Sequence, residues 1–147
     1  MPRGIDPTLI ILKGHLLIEE ELDIFLKAIS LAPSYLSGSR LTFYQQLRIM
    51  QAIANWPVDE VGEFVEGVGK LRNRLAHNVE VLDLENSLDE LLRGFFRQEY
   101  VRPRDRRQRA RFLKTAFAFT IGALHGFSEG FTLKPGKSQA PSSATRK

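Results

Sequence analysis

The sequence predicts an all-α fold, a compact bundle of four to five helices. Three observations carry that expectation. Apolar residues recur at helical spacing through long segments that open on aspartate, serine or proline signals. The 147 residues are 43% hydrophobic and 26% charged, ordinary for a single domain able to bury a core. No two alternating segments pair as strands. Val79-Glu80-Val81-Leu82 is the nearest to an extended piece and reads as loop for want of a partner.

The first helix opens at Asp6-Pro7, an acidic cap followed by proline at the first helical position, and runs to about Leu31, short of Pro33. It is apolar around most of its circumference (Leu9, Ile11, Leu12, Leu16, Leu17, Ile18, Leu22, Ile24, Phe25, Leu26), which places it centrally or against a second subunit. Ser34 to Arg40 has loop composition. The second helix covers Leu41 to Ala54. The third starts at Pro57, carries Asp59 and Glu60 in its first turn, and ends near His77-Asn78. Trp56 is expected to close the turn before it as a lid on the core. The fourth starts at Ser87, with Glu90 completing a capping-box pattern. The fifth runs from Pro103 to about Gly130. Residues 6–131 therefore form the bundle, and 132–147 form a polar tail whose composition cannot bury a core.

Composition excludes several classes of function. There are no cysteines, hence no disulfide framework and no thiolate metal site. No basic segment feeds a long apolar run at the N-terminus, and Ala116–Leu124 is far shorter than the ~20 residues of a membrane span. The expectation is a cytoplasmic protein without a membrane partner. No phosphate-binding loop, dinucleotide fingerprint or Ser/His/Asp order is present, and no short helix pair suits a helix-turn-helix DNA reader. The histidines are three, and no two of them share metal-ligand spacing on one helix, so neither a metal nor a cofactor is expected. His15 and His125, set among apolar residues, read as core or boundary histidines. Charge is unevenly spread: residues 1–96 hold 9 Lys/Arg against 14 Asp/Glu, and residues 97–147 hold 12 against 3. Such a chain either meets a polyanion or pairs its own halves.

One string carries chemistry: Lys70-Leu71-Arg72-Asn73-Arg74-Leu75-Ala76-His77. At about 100° per residue, Phe64, Val68, Leu71 and Leu75 form the core stripe. Asn73 and His77, four apart, share a face roughly opposite, and Arg72 lies at the edge of the core. His77 is thus expected at solvent or in an interface. Gly62, Gly69 and Ala76 recur beside that face. Helical glycines cost about 1 kcal/mol each relative to alanine, tolerated either because another chain comes close or because this is simply a poor solvent-facing helix.

The Arg72-Asn73-x3-His77 string resembles the HEPN superfamily, helical bundles with an Arg-x4–6-His motif in which Asn, Asp or His often follows the arginine. The long first helix, with Leu16-Leu17-Ile18-Glu19-Glu20-Glu21-Leu22, is similar to that of the mannitol-repressor-like members. The resemblance spans residues 8–130, and its specific part is Leu71 to His77. It implies a metal-independent endoribonuclease with Arg72, Asn73 and His77 as catalytic residues, acting as a homodimer whose two motifs face one another. It further implies the toxin of a toxin–antitoxin pair, with an antitoxin protein as partner. Mannitol-repressor-like members are described as regulators, so the competing expectation is a non-catalytic regulatory or protein-interaction module. Toxins silenced by a nucleotidyltransferase often carry Tyr two residues after the histidine. Here that residue is Val79, and that regulation does not carry over.

The chemistry is coherent. Attack of an RNA 2′-OH on its own phosphate needs a base, an acid and positive charge on the phosphorane. Imidazole titrates near neutrality, and guanidinium can hold two phosphate oxygens. One chain offers one such histidine, whereas a symmetric dimer offers two. Lys70, Arg74, Arg104, Arg106 and Arg107 are the candidate RNA contacts, against the alternative that the basic run of the fifth helix pairs with acidic helices. The enzyme needs an accessible His77, whereas the module allows it to be packed or paired with Glu66 or Glu80. The small stripe Ala118, Gly122, Gly126 and Gly130 suits close packing within the bundle or against a partner.

Overall fold

α1 (Pro7–Ile29) starts where the Asp6 carboxylate accepts a hydrogen bond from the Thr8 amide at 2.9 Å. It ends at Ser30, whose backbone is extended, two residues short of the sequence expectation. A 3₁₀ turn (Pro33–Tyr35) follows. The computed structural model describes residues 6–54, 59–77 and 81–132. Trp56, Pro57, the Val79-Glu80 half of the presumed loop and the tail from residue 133 fall outside the described residues.

α2 (Phe43–Ala54) is opened by a reciprocal cap. The Thr42 amide donates to Gln45 Oε1 at 2.8 Å, and the Gln45 amide donates to Thr42 Oγ1 at 3.3 Å. α3 (Glu60–Ala76) begins three residues after the proline expected to start it. Asp59 caps it, accepting from the amides of Val61 and Gly62 at 3.1 and 3.0 Å.

α4 (Val81–Phe96) corrects the sequence reading. The Ser87/Glu90 pair resembles a start signal but lies inside the helix. The Ser87 hydroxyl donates back to the Asp83 carbonyl at 2.7 Å and accepts from Arg74 at 2.7 Å, so it bonds sideways and backwards rather than capping. Val81 and Leu82, read as loop, are the first helical residues. The helix stops at Arg97, the one described non-glycine residue with a positive φ (48°), whose guanidinium reaches Glu60 and Glu63 of α3 at 3.5 and 3.8 Å.

α5 (Arg106–Thr132) likewise starts three residues after its proline, because Asp105 accepts from the Gln108 amide at 2.8 Å. Pro103 is buried in the approach to it.

α1 lies at the centre, packed on α2, α3 and α5, while α4 closes the outer side of α3. Ile11, Ile18, Leu22 and Phe25 are wholly buried, and Phe64 meets Phe95 and Phe117 with ring centroids 5.0 and 5.2 Å apart. Each such side chain contributes on the order of 2 kcal/mol by leaving water. Gly14 permits the α1–α5 contact: a Cβ there would sit 2.2 Å from the Phe117 ring. The small-residue stripe of α5 makes no such contact within the bundle. Ala118, Gly122, Gly126 and Gly130 are exposed, and nothing lies within 4 Å of the space a Cβ would fill at the three glycines. α1 is also two-sided rather than enclosed, with Leu9, Leu12, Leu16, Leu17 and Ile24 exposed on its outer face. No helix among the described residues is long and apolar enough to cross a membrane.

The acidic and basic halves of the chain meet between α4 and α5. Asp89 and Arg109, both buried, pair at 3.0 Å. Arg102 reaches Asp89 and Arg106 reaches Glu85, each at 3.6 Å. Much of the basic run is therefore engaged by the acids of α4.

Candidate functional site

α3 presents the motif on its last two turns. Asn73 and His77 are exposed, as the wheel requires, and Arg72, expected at the edge of the core, is exposed as well, while Phe64, Val68 and Leu71 are buried and Leu75 is half-buried. His77 caps the helix: its backbone has left helical values and its amide donates to the Arg74 carbonyl at 3.0 Å. Its imidazole has no partner among the described residues. Glu66, the described carboxylate offered as its mate, pairs instead with Arg48 at 3.9 Å. Glu80, the other, lies outside the described residues. The Arg72 guanidinium touches Asn73 Oδ1 at 3.5 Å and pairs with no carboxylate among the described residues.

The other cations of the string go elsewhere. Arg74 is tied to Asp83 and Ser87 of α4. Lys70 and Arg74 line the groove between α3 and α4, with Leu71, Glu90 and Leu91. Arg72 and Asn73 face the opposite side, towards α1 and the start of α2. Of the basic run, Arg106 is ion-paired, whereas Arg104 and Arg107 are exposed and form no ion pair among the described residues. They line a shallow surface hollow with Arg111.

Of the glycines singled out on α3, Gly69 receives an intramolecular explanation. Gly62 and Gly69 are buried, not beside an open face. A Cβ on Gly69 would lie 2.8 Å from the Phe43 ring and 3.2 Å from the Tyr44 hydroxyl. The glycine therefore admits the first turn of α2, which wedges between α1 and α3.

That wedge makes one wall of a cavity of about 390 Å³, lined by His15, Glu19, Thr42, Phe43, Tyr44, Gly69, Arg72 and Asn73. His15 was read from sequence as a core or boundary histidine. It is 7% exposed, with its ring centroid 4.5 Å from that of Phe43 and its Nδ1 3.8 Å from Glu19 Oε2. Burial holds its pKa below the usual imidazole value; Glu19 pulls it partly back and Arg72 pushes it down again. His15 is thus kept neutral at pH 7, when it can accept a proton. Burial and the Glu66 charge raise the Tyr44 phenol, which stays protonated and able to donate. No local signal in α1 marks His15. His15 is buried as expected, whereas His125 departs from its reading: it is exposed, between Glu21 at 3.3 Å and Glu129 at 3.5 Å.

No family model, curated protein or solved structure matches the chain.

Proposed function

We propose that the protein is a metal-independent endoribonuclease of the HEPN type, cutting RNA by attack of a 2′-OH on the adjacent phosphate. The observation that carries this reading is the placement of Arg72 and His77. Among the described residues the Arg72 guanidinium has no carboxylate and the His77 imidazole no partner; both are exposed, Arg72 and Asn73 on the last turns of α3 and His77 at its C-cap. A charged group without a protein partner is available to a phosphate; one locked in an ion pair is not. The competing module reading allows His77 to be packed away or matched to a carboxylate; the ring is exposed rather than packed, and Glu66 pairs with Arg48 instead.

In this reading Arg72 holds the phosphate oxygens, Asn73 orients them or the imidazole, and His77 transfers a proton. Arg104 and Arg107 remain available for the RNA backbone, whereas Arg74 and Arg106 are held by acids of α4. A homodimer is part of the proposal, supported by the exposed leucines of α1. Action as the toxin beside an antitoxin rests on the resemblance alone.

The test is incubation of mixed RNA and DNA pools with the protein in EDTA, followed by end-group analysis. RNA is expected to be cut to 2′,3′-cyclic phosphate and 5′-hydroxyl ends, with DNA left intact. Cleavage of DNA, or RNA cleavage abolished by EDTA, refutes the proposal.

A further inference from the structure

We infer that His15 is a second catalytic residue, the proton acceptor for the 2′-OH, so that one chain carries both imidazoles the reaction needs. The inference deepens the ribonuclease reading and rests on it for the reaction.

The geometry begins with the cavity. Arg72 and Asn73 of the proposed centre line it together with His15 and Glu19. α1 and α3 are distant in sequence and are joined here by the Phe43 wedge under Gly69. His15 Nδ1 lies 3.8 Å from Glu19 Oε2, and in the inferred step Nε2 is the atom that meets the substrate. The charged and titratable groups around the imidazole are Glu19 on its own helix, Tyr44 on α2 and Arg72 on α3. This arrangement serves a general base. The ring is neutral before the reaction, and Glu19 stabilises the imidazolium that forms during it.

The step balances within the chain and the RNA. His15 Nε2 takes the proton from the 2′-OH as the 2′-oxygen bonds to phosphorus. The bond from phosphorus to the 5′-oxygen breaks, and that oxygen takes a proton from His77. The products are a 2′,3′-cyclic phosphate and a 5′-hydroxyl, and exchange with water restores both histidines. Arg72 stays bound to the phosphate oxygens throughout.

The experiment is single-turnover cleavage of an RNA pool between pH 5 and 8 by the full chain, wild type beside His15→Gln and Glu19→Gln, with thermal melts of each. Glutamine keeps most of the bulk against Phe43. His15→Gln is expected to slow cleavage by about 10²–10⁴-fold and to abolish the fall in rate towards acid pH. Glu19→Gln is expected to move that fall to lower pH, because it removes the group that raises the His15 pKa. A folded His15→Gln protein with wild-type rate and profile overturns the inference. If that variant does not fold, an unmoved acidic limb in Glu19→Gln overturns it. An equimolar mixture of His15→Gln and His77→Ala is expected to stay inactive, and recovery of activity would place the two histidines on different chains. Wild type that cuts no RNA is a separate failure, of the ribonuclease reading itself, and removes the inference with it.

Discussion

Replacing Arg109 by methionine strands a carboxylate in the α4–α5 joint. Asp89 and Arg109 side chains are 10% and 9% exposed, with Nε to Oδ1 at 3.0 Å and Nη2 to Oδ2 at 3.4 Å, a two-point contact. Breaking a buried pair by removing one partner costs about 3–5 kcal/mol, because the remaining charge is desolvated and unmatched. Asp89 keeps a remnant of compensation in Arg102, 3.6 Å away but 76% exposed and well screened. The loss should therefore sit at the low end, about 3 kcal/mol. At roughly 2–4 °C per kcal/mol for a chain of this length, the midpoint should fall by about 6–12 °C. The double variant Asp89→Leu/Arg109→Met should recover most of it, since both charges leave together. Urea denaturation of the four proteins of the cycle measures this. A single-variant loss under about 1 kcal/mol, or a double variant as weak as Arg109→Met, refutes the assignment of Arg109 as a strut of the fold.

Other outcomes follow from the same packing. Gly14→Ala should destabilise by about 1–3 kcal/mol in thermal melts, because the new methyl meets the Phe117 ring. Gly122→Ala, on an exposed turn with open space around it, should instead stabilise by roughly 1 kcal/mol; a loss there would mean that the face is covered. His15 binds its proton less readily folded than unfolded, so stability should decline as pH falls below about 6.5 and go on declining until the buried ring itself titrates. Denaturation at pH 5.5 and 7.5 should show a smaller decline for His15→Gln than for wild type, and equal declines would contradict the burial argument.

Local signals placed most of the helices and misplaced several of their ends. Asp6-Pro7 marked the start of α1 because the cap acts within two residues. Pro57 and Pro103 have the residue type of a first helical position, yet Asp59 and Asp105 cap α3 and α5 further on. Ser87-x-x-Glu90 misled because the serine has Arg74 to bond with, a residue from another helix that no local pattern contains.

The candidate site divides the same way. Arg72 and Asn73 lie on α3 and His77 caps it, so the exposure of Asn73 and His77 was legible from local spacing. His15 could not be placed beside Arg72 by that means, since what brings them together is Phe43 sitting against Gly69. Gly69 does mark a close approach, but the approaching group is the chain's own α2. The basic run was weighed between RNA and acidic helices. Asp89 and Glu85 take Arg102, Arg106 and Arg109, which leaves Arg104, Arg107 and Arg111 without an ion pair among the described residues.

The most direct test of the proposed function is the single-turnover rate at which wild type and His77→Ala cut the same RNA in EDTA, at matched concentration and with matched melting curves. His77 is exposed at a helix end, so the variant should fold normally. Wild type should release 2′,3′-cyclic phosphate ends, and His77→Ala should be slower by about 10²–10⁴-fold. Equal rates for the two proteins would contradict a ribonuclease centred on His77.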